Sequence, residues 1–102
     1  MLQEMTQADY RDVLAATQAG VCIVFKDLCP HCANMEKVLE KFGRLQPGAV
    51  LLGLDIQKNP DAAAALGAER APTLLIIRNG AIIRKKTGLL NPKELLALYQ
   101  EA

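Results

Sequence analysis

Apolar and polar positions along this chain follow two periods that take turns. Val21-Cys22-Ile23-Val24-Phe25 is an unbroken apolar run between Gly20 and Lys26-Asp27, as expected of a strand covered on both faces. Met35, Val38, Leu39 and Phe42 then recur at i, i+3, i+4 and i+7, with Glu36, Lys37, Glu40 and Lys41 assigned to the opposite, solvated side of a helix that Gly43 stops. Upstream, residues 2 to 5 fit a short edge strand. Thr6 followed by Asp9 reads as a capping box with Asp in place of Glu, and Tyr10, Val13 and Leu14 give the helix its inner face before Gly20 ends it. Ala49 to Ile56 alternates as a further central strand. Asn59-Pro60-Asp61 predicts a helix with Asn at the cap and Pro in the first turn, closed by Gly67.

Leu74 to Ile77 and Ala81 to Ile83 flank Asn79-Gly80, the dipeptide of a type I′ hairpin, so these two strands are expected to be antiparallel neighbours. Gly88 ends the second of them. Asn91-Pro92-Lys93-Glu94 opens a last helix with a reciprocal cap, and Leu95, Leu98 and Tyr99 form its inner side. The order is βαβαβ followed by αββα. It predicts an α/β fold in which a central mixed β-sheet is flanked by helices on both faces.

At 102 residues the chain has room for one core, so a single domain over 1–102 is expected. A net charge of +1 provides no footprint for nucleic acid, and no apolar run reaches the roughly 18 residues of a membrane span. Neither kind of partner is expected. The segment Met1 to Thr6 lacks a basic region followed by an apolar one, so no signal peptide is visible. Three cysteines are odd in number and too few for a disulfide-stapled scaffold, which points to a reducing, cytoplasmic setting.

Chemistry concentrates at Leu28-Cys29-Pro30-His31-Cys32, where the Val21–Phe25 strand gives way to a helix. A helix start has unpaired N–H groups and a positive dipole end, both of which favour an anion such as a thiolate. Pro30 suits the first turn, Cys29 falls at the cap and Cys32 lies one turn inside. Cys22, within the apolar strand, reads as a small buried hydrophobe. Arg84-Lys85-Lys86 reads as a solvated edge.

With these positions together the chain resembles the thioredoxin family over nearly its whole length. The matching features are the Cys-x-x-Cys at a strand-to-helix junction, Asn59-Pro60, Ala71-Pro72-Thr73 before a strand, Asn79-Gly80 and Gly88. The resemblance implies a thioredoxin fold with Cys29 as attacking thiol, Cys32 as resolving thiol and Pro72 as a cis-proline beside them. It also implies that the Ala71 backbone pairs with an incoming substrate, with Leu28, Gly88 and Leu89 completing the substrate-binding rim. No bound cofactor or metal is implied beyond the Cys29–Cys32 redox disulfide. Electrons would come from NADPH indirectly, through a thioredoxin reductase-like donor, and pass to disulfide-containing proteins. The protein is expected to be monomeric.

Several positions depart from the family's pattern. Leu28 stands where Trp is usual, Pro30-His31 replaces Gly-Pro, Ile23 and Gly53 replace a buried Asp and Lys, and Lys37 replaces a helix-kinking proline. Pro-His is the pair of the periplasmic disulfide-oxidase family. An imidazole at His31 would stabilise the thiolate and make the couple more oxidising. Without the buried acid, water or His31 is expected to take the Cys32 proton. The expected activity is a protein-disulfide reductase of more oxidising poise. The alternatives are a disulfide oxidase or isomerase, a non-catalytic redox adaptor, and a metal-binding module built on Cys22, Cys29, His31 and Cys32.

Overall fold

The structure is a computed structural model that describes residues 2–101; Met1 and Ala102, the ends of the expected domain, lie outside them. In chain order its elements are β1 (Gln3–Met5), α1 (Tyr10–Ala16), β2 (Ala19–Phe25), α2 (Pro30–Leu45), β3 (Val50–Asp55), α3 (Pro60–Ala65), β4 (Thr73–Arg78), β5 (Ala81–Thr87) and α4 (Pro92–Glu101). The sheet order is β1-β3-β2-β4-β5. β1, β3 and β2 run parallel, while β4 is antiparallel to both β2 and β5.

Strand pleating divides the apolar side chains between two cores. Cys22 and Val24 of β2, with Leu75 and Ile77 of β4, pack among α1 and α3 residues such as Tyr10, Leu14, Ala62 and Ala63. Val21, Ile23, Leu74 and Ile76 point to the other face, among Met35, Leu39 and Phe42 of α2 and Leu95 and Tyr99 of α4. Val21–Val24 of β2 and Leu74–Ile77 of β4 therefore supply apolar side chains to both cores, which is why β2 reads as a continuous run rather than an alternation.

Asn79 and Gly80 both adopt positive φ, 51° and 78°, as a type I′ turn requires. The turn is also buttressed: the Asn79 and Gly80 N–H groups donate to the Gln18 and Thr17 carbonyls, and a Cβ on Gly80 would stand 2.8 Å from the Ala15 carbonyl oxygen.

Three local expectations need correction. α1 ends at Ala16, four residues before Gly20. Gly20 lies instead inside β2 opposite Val50, where a Cβ would approach the Val50 carbonyl oxygen to 2.6 Å. Close strand approach, not helix termination, explains that glycine. Gly43 likewise sits within α2, which continues to Leu45; a lone glycine costs a helix only about 1 kcal/mol, which packing of Phe42 readily offsets. The Asn59 side chain does not cap α3. It accepts the Gln7 N–H at 2.8 Å and donates to the Asp55 carbonyl at 3.1 Å, tying the β1–α1 turn to the end of β3. Other caps are as expected. Thr6 and Asp9 exchange hydrogen bonds ahead of α1, and Asn91 and Glu94 do so at the start of α4.

Candidate active site

The site lies where the carboxyl ends of β2 and β3 meet the amino end of β4. The Phe25 carbonyl accepts the Ile56 N–H at 2.8 Å, and the Asp27 N–H donates to Gln57 Oε1 at 3.2 Å. Gln57 is itself held through its N–H by the carboxylate of buried Asp55. The β3–α3 connection thus anchors the loop that carries the cysteines. Leu28 follows with φ of 54° and is fully exposed, at 100%.

Cys29 is the N-cap of α2 and Pro30 its first residue. Cys29 and Cys32 are disulfide-bonded with Cα atoms 5.2 Å apart. The Cys32 N–H donates to Cys29 Sγ at 3.2 Å, so one of the orphan donors of the helix start is aimed at that sulfur. The same donor and the helix dipole favour a thiolate there once the disulfide opens. Cys29 is half-buried whereas Cys32 is only 3% exposed. Of the two residues Cys29 is the more accessible and Cys32 the more shielded. His31, between them, is exposed.

The Ala71–Pro72 peptide bond is cis and Pro72 is buried. Register places it beside the site: Val24 pairs with Thr73, so Pro72 lies one step beyond, at the end of β2 from which the cysteine loop departs. Its carbonyl accepts the Gly88 N–H at 3.2 Å. Gly88 adopts φ of 88°, Leu89 is 51% exposed, and the Leu90 N–H meets Met35 Sδ at 3.4 Å. The residues expected at the rim, Leu28, Ala71, Gly88 and Leu89, thus belong to three loops at one end of the sheet.

Where the resemblance led one to look for a buried acid and base, the structure has an apolar surface. Ile23 and Gly53 are register partners in β2 and β3. A Cβ on Gly53 would already meet the Phe25 ring at 3.2 Å and Leu2 Cδ1 at 3.4 Å, so those two side chains occupy the room a longer residue would need. An open cleft of about 560 Å³ is lined by Phe25, Lys26, Asp27, Cys32 and Glu36 among others, and His31 is not among its lining residues. Glu36 is half-buried rather than on the solvated side of α2.

Cys22 is free and completely buried on the α1/α3 face of the sheet, away from the α2 face. Burial pushes its thiol up to about 12. It takes no part in the cysteine pair, and among the described residues no group of three or more His, Cys, Asp or Glu is placed to hold a metal ion. Arg84, Lys85 and Lys86 lie exposed along the edge strand β5, where Lys85 Nζ reaches the Gly67 carbonyl at 3.0 Å. Among the described residues no helix is long and apolar enough to cross a membrane.

The thioredoxin family model matches residues 1–101. The chain is 29% identical to a thioredoxin of Chlamydia muridarum, over 99% of this chain and 98% of that one. It is 30% identical to a disulfide bond formation protein of Brevibacillus choshinensis, over 85% of this chain and 75% of the relative. In three dimensions it is similar to the reduced desulfothioredoxin of Desulfovibrio vulgaris Hildenborough, with a TM-score of 0.87 and 37% identity, covering 99% of this chain and 97% of that one. A capped Cys-x-x-Cys on a five-stranded mixed sheet, in a sequence matched to one family model from end to end, places this chain in the thioredoxin family of thiol-disulfide oxidoreductases.

Proposed function

We propose that the chain, acting as one thioredoxin-like domain, reduces disulfides of protein substrates in the cytoplasm and is recharged by a thioredoxin reductase-like donor that draws on NADPH. The observation that carries this reading is the asymmetry of the cysteine pair. Half-buried Cys29 accepts the helix-start N–H, while Cys32 is shielded beneath it. Cys29 attacks a substrate disulfide, forming a mixed disulfide and releasing one substrate thiol; Cys32 then attacks Cys29 Sγ, closing the Cys29–Cys32 bond and releasing the second. The substrate is reduced by two electrons and the cysteine pair is oxidised by two. The cis Ala71–Pro72 segment supplies a backbone edge for the substrate chain, and Leu28, Gly88 and Leu89 supply its rim.

His31 sets a poise more oxidising than a Gly-Pro pair would, because a cationic or hydrogen-bonding imidazole stabilises the reduced, thiolate form. Oxidase activity is the second reading. It is favoured by the Pro-His pair and by the likeness to a disulfide bond formation protein.

The decisive experiment is turbidimetric reduction of insulin disulfides with dithiothreitol as donor. Wild type should accelerate precipitation and Cys29→Ser should not; equal rates would remove the catalytic reading and leave a docking role. The potential from a glutathione titration then separates reductase from oxidase.

A further inference from the structure

Resolution of the mixed disulfide requires Cys32 to lose its proton in a site where the sheet beneath is apolar, at Ile23, Gly53, Phe25 and Leu2. A thiol is a far weaker nucleophile than its thiolate, and a cysteine only 3% exposed has little access to bulk water as a base. We propose that Glu36 is the proton acceptor for Cys32, acting across the cleft beside the disulfide. The proposal rests on the thiol-disulfide reading given above and names the proton path that reading lacks.

Two observations and one rule of helix geometry converge on this residue. Glu36 and Cys32 stand at i+4 and i on α2, neighbours on one helix face with Cβ atoms about 5–6 Å apart. Helix side chains lean as a rule toward the amino terminus, which favours reach from position 36 toward the turn that holds Cys32. Both residues line the same cleft of about 560 Å³, which has room for a bridging water between a carboxylate and Sγ. The other charged groups in that cleft are Lys26 and Asp27 of the β2–α2 loop. On its far side Glu36 borders a smaller cleft of about 260 Å³ with Glu4 of β1 and Glu40 of the next turn, beside Leu2 and Leu51. Asp27 has the right chemistry but is exposed, and its loop is drawn toward Gln57. His31 is outside the cleft.

The step balances as follows. Glu36 carboxylate takes the Cys32 S–H proton through water, and the Cys32 thiolate attacks Cys29 Sγ. The bond from Cys29 to the substrate sulfur breaks as the Cys29–Cys32 bond forms. The departing substrate thiolate takes the proton back from Glu36 or from solvent. In the oxidising direction the same group returns the proton to Cys32 as it leaves.

Oxidised glutathione is the probe. Mixed with reduced protein, it forms a Cys29–glutathione adduct whose appearance and decay are followed by intact mass after acid quenching. In Glu36→Gln the loss should fall on decay of the adduct, by about a hundredfold near pH 6. The wild-type decay rate should carry a pH-dependent limb that Glu36→Gln lacks and Glu36→Asp retains. At strongly alkaline pH, where hydroxide can take the Cys32 proton without a carboxylate, the two proteins should converge. Glu40→Gln, one turn further from the disulfide, should match wild type throughout. A limb that persists in Glu36→Gln, or one that disappears in Asp27→Asn instead, overturns the proposal. Failure of oxidised glutathione to produce either the adduct or the Cys29–Cys32 disulfide in the wild type would instead sink the oxidoreductase reading on which it rests.

Discussion

The three cysteines of this chain are one residue type in three environments, and environment decides what each can do. Cys29 caps a helix and accepts an N–H, Cys32 sits shielded one turn inside, and Cys22 is sealed within the opposite core. For Cys22 the consequence is a pH dependence of stability. Its folded thiol is pushed up to about 12 by burial, whereas an unfolded thiol ionises near the ordinary 9.0. Between those values the unfolded chain gives up a proton that the folded chain keeps, so this contribution is intact below about pH 9 and is lost as pH rises toward 12. Denaturant titrations of the oxidised protein should show wild type losing up to about 1.4 kcal/mol per pH unit more than Cys22→Ala across that window. Parallel curves would contradict the assignment. At His31 the expectation concerns redox chemistry. Removing an imidazole that stabilises the reduced form lowers the potential, by about 30 mV for each 1.4 kcal/mol of stabilisation lost. His31→Gly should therefore titrate against glutathione at a lower potential, and an equal or higher value would refute that role.

At the level of elements, two asparagines that look alike in sequence do different work. Asn91 and Asn59 each precede a proline at a helix start, and the Asn-Pro pattern predicts a cap in both places. Asn91 fulfils it, exchanging hydrogen bonds with Glu94 at 2.8 and 3.0 Å on an exposed surface. Asn59 is buried and instead joins Gln7 to Asp55 across two connections. Truncating an exposed cap costs about 1 kcal/mol, whereas orphaning partly buried backbone groups costs about 1–3 kcal/mol and also opens a small void. Asn59→Ala should accordingly lower the thermal midpoint more than Asn91→Ala, for which about 4–8 °C is expected at this chain length. Equal shifts would mean the bridge contributes nothing beyond a cap. The contrast also shows what could be read from sequence. The order of elements along the chain, the hairpin at Asn79-Gly80, the start of α2 at Cys29 and Pro30, and the Cys-x-x-Cys itself all rest on local rules and periodicity. Gly20, Gly43, Asn59, Gln57 and Glu36 were misread or passed over because each takes its meaning from a partner distant in the chain or from a helix face that charge alone mislabels. A glycine facing Val50 and a glycine ending a helix look identical until the strands are paired.

Across the whole molecule, the cysteine pair and the loops proposed to meet a substrate lie at one end of the sheet. Leu28 precedes the cysteines, Ala71 and Pro72 enter β4, and Leu89 follows β5, so three loops distant in sequence form one rim. Leu28 is the least economical of these residues for the isolated fold, since it exposes a whole leucine side chain and holds a left-handed backbone. A leucine there costs about 1–2 kcal/mol relative to an unstrained residue, whereas glycine carries no such strain but adds about 0.5–1 kcal/mol of unfolded-chain entropy. The two terms nearly cancel, so Leu28→Gly should leave folding stability within about 1 kcal/mol. Recognition should respond differently. Covering an exposed leucine against a partner is worth about 1.5–3 kcal/mol when complete, and even partial cover of about 1.4 kcal/mol is tenfold in rate or affinity. Glutathione is too small to cover that side chain, so it serves as an internal reference for the chemistry at Cys29. The ratio of kcat/KM for insulin to that for oxidised glutathione should fall about tenfold in Leu28→Gly. A ratio unchanged from wild type would show that protein substrates approach without touching this residue, and would leave recognition to the Ala71 backbone edge and Leu89.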